Sequence, residues 1–286
     1  MVRSSLKEGV VSFWTLSASF DRQSLLEGWG ALGHADLVPE PRPYVAVLKD
    51  ALAEVVGTAH TLIRPLASKT GFTVVRENRG EDENEFVPLF NARIPEGEGS
   101  PLFNNESDVT DKVLAAFFQK RGQLTAQQVS GAMVAAVYKL GGIRLRPTGG
   151  IYWLAGSRMD EWEQAGGVVA AAARGGAATT YVIRHEIDEK AALAVQDALV
   201  EEVEAEAKRL VQEVQSGELG GRAVRTRKAE AVALRNKVTE YEQLLNTHLG
   251  SLRSSLDAAE QSIAMAALLT MADLSGFRQE VASVAD

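Results

Sequence analysis

The sequence predicts an α+β protein: a mixed body of small sheets with several helices, followed by a long antiparallel α-helical, coiled-coil hairpin. Three observations predict it. Runs rich in β-branched and aromatic residues alternate with helical patterns up to His185. From Ile187 onward proline is absent, and apolar residues recur by threes and fours. The two halves of that helical stretch carry opposite charge. The expected division is a body over residues 1–185 and a helical region over 186–286.

Within the body, Phe13, Trp14, Leu16, Phe20, Leu25, Leu26 and Trp29 supply apolar anchors without a clean period. Pro39, Pro41 and Pro43 impose an extended connector, because proline fixes φ and disfavours helix in the residue before it. A helix is expected over Tyr44–Val56, then strands over Ala59–Leu66, Gly71–Asn78 and Glu85–Ile94. Pro95–Asn105 reads as a loop. Asp108 is placed to cap a helix ending before Gly122, and Thr125 with Gln128 makes a capping box for the next. Ile143–Arg146 and Ile151–Leu154 flank Pro-Thr-Gly-Gly as a β-hairpin. Ser157 caps a helix through Trp162, the glycine-rich stretch Gly166–Ala178 reads as its ragged end or a loop, and Thr179–Arg184 as a last strand.

In the helical region Val200, Val203, Ala207, Leu210 and Val214 keep the spacing of a coiled-coil seam. Glycines from Gly217 to Gly221 break it, and Ala231, Leu234, Val238, Tyr241, Leu245, His248 and Leu252 resume it. A helix over Ile187–Gln215 would be about 45 Å long, and one over Arg222–Met271 about 75 Å, unless Gly250 interrupts it. Residues 186–218 hold ten acids and three bases, whereas 222–237 hold six bases and one acid. A turn at Gly217–Gly221 lays one against the other, with the apolar seam holding the pair and the charges selecting register. The surplus from Thr247 to Met271 is expected to fold back on the body or to pair with another chain. Its apolar residues Ile263, Met265, Leu268, Leu269 and Met271 are therefore the candidate self-association surface.

Function classes are narrowed mainly by exclusion. The chain has no cysteine, which removes disulfides, thiolate nucleophiles and cysteine-based metal sites, and suits a reducing, cytoplasmic setting. Met1–Leu16 carries Arg3, Lys7 and Glu8 and lacks the apolar core of a signal peptide, and no run is long enough to span a membrane. His34, His60, His185 and His248 lie far apart without metal-ligand spacing. No glycine pattern matches a phosphate loop, and Ser4-x-x-Lys7 lacks the companion motifs of a serine hydrolase. Glu81-Asp82-Glu83-Asn84-Glu85 lacks calcium-loop order and reads as a solvated turn. No catalytic, cofactor-binding or metal-ligating residue is assigned, and no cofactor is expected.

One charge pattern stands out in the body. Residues 77–111 hold ten acids and two bases, whereas 112–158 hold seven bases and no acid. The basic block lies in a helix–helix–β-hairpin unit at 108–165, with Arg144 and Arg146 alternating onto one face of a strand. Tyr152 and Trp153 are adjacent on the opposing strand, so one of them is expected in the core. The block either docks on the acidic segment before it or contacts nucleic acid through Lys120, Arg121, Lys139, Arg144, Arg146 and Arg158. Its layout resembles a winged helix, with a departure: only one helix lies between Gly122 and Ile143. Gly149-Gly150-Ile151-Tyr152-Trp153 resembles a hairpin of uncharacterised bacterial or phage proteins, a likeness that transfers no functional residue. The leading expectation is a non-enzymatic interaction or scaffold protein that self-associates as a homo-oligomer or binds a protein partner through its helical hairpin. The alternative is a nucleic-acid-binding regulatory protein acting through residues 112–158.

Overall fold

The computed structural model describes residues 8–57, 59–81, 83–146, 149–216 and 221–283, with side chains up to residue 268. Strands β1 (Glu8–Thr15) and β2 (Ser19–Asp21) lead into α1 (Arg22–Ala31), whose first turn is capped by Asp21 accepting from the Ser24 amide. After the proline connector come α2 (Tyr44–Val56), β3 (Thr61–Pro65), β4 (Gly71–Arg79), β5 (Asn84–Arg93) and β6 (Leu102–Phe103). Helix α3 (Asp108–Lys120) starts one residue earlier than expected, with Ser107 rather than Asp108 as its cap. Strand β7 (Gln123–Thr125) precedes α4 (Ala126–Lys139), where the expected Thr125–Gln128 box forms. Then follow β8 (Ile143–Arg144), β9 (Tyr152–Ala155), α5 (Met159–Ala172), β10 (Ala173–Arg174) and β11 (Thr179–Glu186). Three helices close the order: α6 (Glu189–Gln215), α7 (Gly221–Leu245) and α8 (Gly250–Ser283). The architecture is mixed α+β with three small antiparallel sheets.

The chain clusters into two units, each assembled from separate stretches. One unit comprises Thr15–Ala136 and Glu163–Thr180. Its larger sheet has the order β3-β4-β5-β6, and α2 and α3 supply Leu48, Leu52, Val113 and Phe117 to a core with Val74 and Phe90. A smaller sheet has the order β10-β2-β7. The glycine-rich stretch is helix as far as Ala172, where Gly166 serves close packing, and it bends at Gly175, whose φ is 71°. A Cβ on Gly166 would lie 2.7 Å from Thr180 Oγ1, and one on Gly28 of α1 would lie 2.4 Å from Val168. Trp29 seals that contact by donating its indole N–H to the Ala165 carbonyl at 3.0 Å.

The other unit comprises Met1–Trp14, Val137–Trp162 and Tyr181–Asp286. Its sheet has the order β11-β1-β9-β8, with Val11 opposite Trp153 and Ile143 opposite Trp153 on its other side. Both Tyr152 and Trp153 are buried, correcting the expectation that only one is core. The sheet is covered on both faces. On one face Trp14 stacks on Tyr152 at 5.0 Å, and Trp162 donates to Ser12 Oγ at 2.8 Å. On the other Trp153 packs against Tyr241 of α7 at 5.5 Å.

The helices of this unit depart from a two-arm hairpin. Helix α7 stops at Leu245, where Asn246 takes φ of 51°. The Thr247 amide then bonds the Glu242 carbonyl, and the Leu249 amide bonds Glu242 Oε1 at 2.8 Å. Helix α8 returns along α7 and also packs on α6, burying Leu252, Leu256, Ala259 and Ile263, with Leu249 buried just before it. The expected surplus thus finds cover within its own chain as far as Ile263. His248, expected in the seam, is 77% exposed in the turn. The turn residues 217–220 lie outside the described residues.

Glu242 holds this turn. Arg253 of α8 bonds its carboxylate, and together with the Leu249 amide lowers its pKa to about 2. A depressed carboxylate adds stability above its unfolded pKa, and that stability is lost as pH falls through the folded value. Glu242→Gln is therefore expected to lower stability near neutral pH by about 1–2 kcal/mol, after discounting for solvent screening. Thermal unfolding should show the deficit shrinking as pH is taken from 4.5 towards 2.

Candidate functional site

The helical unit contains a cleft of about 920 Å³ between α6 and α7, closed at one end by Tyr138, Lys139, Gly141 and Arg158. Glu202 and Glu206 line it from α6, and Glu230, Lys237 and Glu240 from α7. Arg209 forms one wall, held by Glu206, Glu213 and Glu230. Ala205, Ala233 and Leu234 give it an apolar floor.

Lys237 is the centre of this arrangement. Its side chain is 12% exposed and donates to the Gly142 carbonyl at 2.8 Å and to Glu202 Oε1. Its Nζ lies 5.4 Å from the centre of the Tyr138 ring. Burial pulls Lys237 below the ordinary lysine range, while the Glu202 carboxylate opposes the shift. Burial likewise raises Tyr138, helped by Glu202. The second oxygen of Glu202 is buried without a hydrogen-bond partner. Next to the cluster, Arg144 donates to the Tyr152 hydroxyl at 3.3 Å.

Sequence reasoning did not single out Glu202 or Lys237. They are 35 residues apart, and each sits in a charge run that reads as a solvated helix face. A signal existed: each immediately precedes a seam residue, Val203 or Val238, and both of those are buried. Such flanking positions face the partner helix.

The candidate nucleic-acid residues are divided between the units. Lys120 pairs with Glu54, and Arg121 donates to the Gly99 carbonyl at 3.2 Å while lying over the Tyr44 ring. Lys139 and Arg158 line the cleft, where Arg158 faces Glu161 at 3.8 Å. Strand β8 ends at Arg144, so Arg146 falls beyond it in an exposed bend, and the expected shared strand face does not form. The carboxylates found on Lys120 and Arg158, Glu54 and Glu161, lie outside the acidic run at 77–111. Among the candidate self-association residues, Ile263 is buried with Leu210, Val214, Val224 and Ala231. Met265 and Leu268 are 61% and 63% exposed. The side chains of Leu269 and Met271 lie outside the described residues, as does Ser4-x-x-Lys7.

Among the described residues no group of three His, Cys, Asp or Glu side chains is arranged to hold a metal ion. No described helix is long and apolar enough to cross a membrane. Residues 9–273 match DUF6744, described as a family of unknown function. No curated protein and no solved structure matches the chain.

Proposed function

We propose that this chain, which belongs to the DUF6744 family, is an interaction or scaffold protein that self-associates through the outer face of α8. The observation carrying the proposal is the exposure of Met265 and Leu268 directly beyond the buried Ile263. Large apolar side chains side by side on a helix flank are what a partner surface covers. A coiled-coil core for the assembly is part of the same reading. Ion pairs Glu202–Lys237, Arg209–Glu230 and Glu213–Arg227 step in opposite directions along α6 and α7, which supports antiparallel arms with a set register. The match to the family runs through α6 and α7 and most of α8, so these helices belong to the shared unit. Nucleic-acid contact through residues 112–158 draws less support, since Lys120, Arg121, Arg144 and Arg158 already have protein partners.

Light scattering over a range of concentrations tests the proposal. The wild type should rise above the 30.7 kDa monomer, and a Met265→Ser, Leu268→Ser variant should stay monomeric with an unchanged melting temperature. A strict monomer at every concentration, with no protein partner retained on the immobilised chain, would overturn it.

A further inference from the structure

We propose that the α6–α7 cleft binds a small aldehyde or ketone, which Lys237 holds as an imine. The inference is independent of the self-association reading.

The cleft has the size of a small-molecule site, about 920 Å³, with an apolar floor and a few convergent polar groups. At its centre an amine touches a carboxylate that can take its proton and a backbone carbonyl that fixes its position. An ammonium offers three N–H donors, and the two oxygen acceptors found on Nζ leave one direction, that of Tyr138. Burial favours the neutral, nucleophilic amine, against the charges of Glu202 and Glu240. Glu202 Oε2, buried without a partner, is a further acceptor on the carboxylate that bonds the amine, and would take the hydroxyl of the first adduct.

The step balances without an oxidant or reductant. The Lys237 ammonium gives a proton to Glu202, and Nζ then adds to the carbonyl carbon as its C=O π bond opens. The former carbonyl oxygen collects one proton from nitrogen and one from Glu202. It leaves as water as the C=N bond forms, so ammonium plus carbonyl becomes iminium plus water. Lys208 and Lys228 lie exposed on the same two helices and lack this setting, which makes them internal comparators.

The full chain incubated with propanal and sodium cyanoborohydride near neutral pH, then mapped by peptide mass, tests the proposal. Lys237 should gain the propyl group about tenfold faster than Lys208 or Lys228. Denaturing urea should erase the preference. Labelling of Lys237 no faster than the comparators, or a preference that survives urea, would overturn the proposal.

Discussion

Gly9→Val is expected to destabilise the protein by about 3 kcal/mol, at the upper end of what overpacking a core costs. The cause is a crossing of strands. Trp153 on β9 reaches over Gly9 on the adjacent β1 and donates its indole N–H to His185 Nε2 on β11 at 3.1 Å. A Cβ on Gly9 would lie 2.4 Å from Trp153 Nε1 and 2.8 Å from Cε2, with no flexible chain end to give way. The indole cannot retreat, because its other side is packed on Tyr241 and Ile143 inside the main core of the unit. Trp donates only, so His185 must accept at Nε2 and keep its proton on Nδ1, facing the Glu186 carbonyl at 3.1 Å. Valine would break this bond as well as crowd the ring. Urea unfolding of Gly9→Val, Trp153→Phe and their double variant measures the effect. The double variant should lose less than the sum of the singles, since both act at one contact. A Gly9→Val protein within about 0.5 kcal/mol of wild type would mean the ring does not lie over Gly9.

The same crossing explains why the amino-terminal strand was illegible in the sequence. A strand covered on one face alternates, whereas β1 is buried at the neighbours Gly9 and Val10 and again at Ser12, so no clean period marks it. Its partner β9 also lies more than 130 residues away, beyond any local signal. Elements held by local chemistry were legible. Helix α2 runs over the expected Tyr44–Val56, and the hairpin of β8 and β9 forms where turn residues separate apolar runs. Gly166 misled because glycine's small size serves close packing as well as turns. The helical region was read correctly for its first break and incompletely for its second. The stop after Leu245 depends on Asn246 in the left-handed region and on Glu242 serving the Leu249 amide, neither of which an apolar period registers. The cleft was illegible for a related reason: Lys237 resembles every other lysine of a basic helix until Glu202 and the Gly142 carbonyl are brought beside it.

Breaking that pair is the second large expected effect. Lys237→Met leaves a carboxylate with its second oxygen already unpartnered, and Glu202→Leu leaves the ammonium with the Gly142 carbonyl as its remaining oxygen acceptor. Each is expected to cost about 2–3 kcal/mol in urea unfolding, below the full value for a buried pair because the side chains are 12% and 22% exposed. The double variant Glu202→Leu, Lys237→Met should recover to within about 1 kcal/mol of wild type, because neither charge then remains to be solvated. A double variant that stays as weak as the singles would show that packing around the pair, rather than its charge, sets the cost. Full recovery would carry a further consequence. The floor of the cleft is already apolar at Ala205, Ala233 and Leu234, so a leucine and a methionine there would extend an existing surface. If stability is served equally by that surface, it does not account for a lysine and a glutamate at the centre of an open cleft. The reactivity of Lys237 towards a carbonyl then becomes the property that distinguishes the charged pair from its apolar replacement.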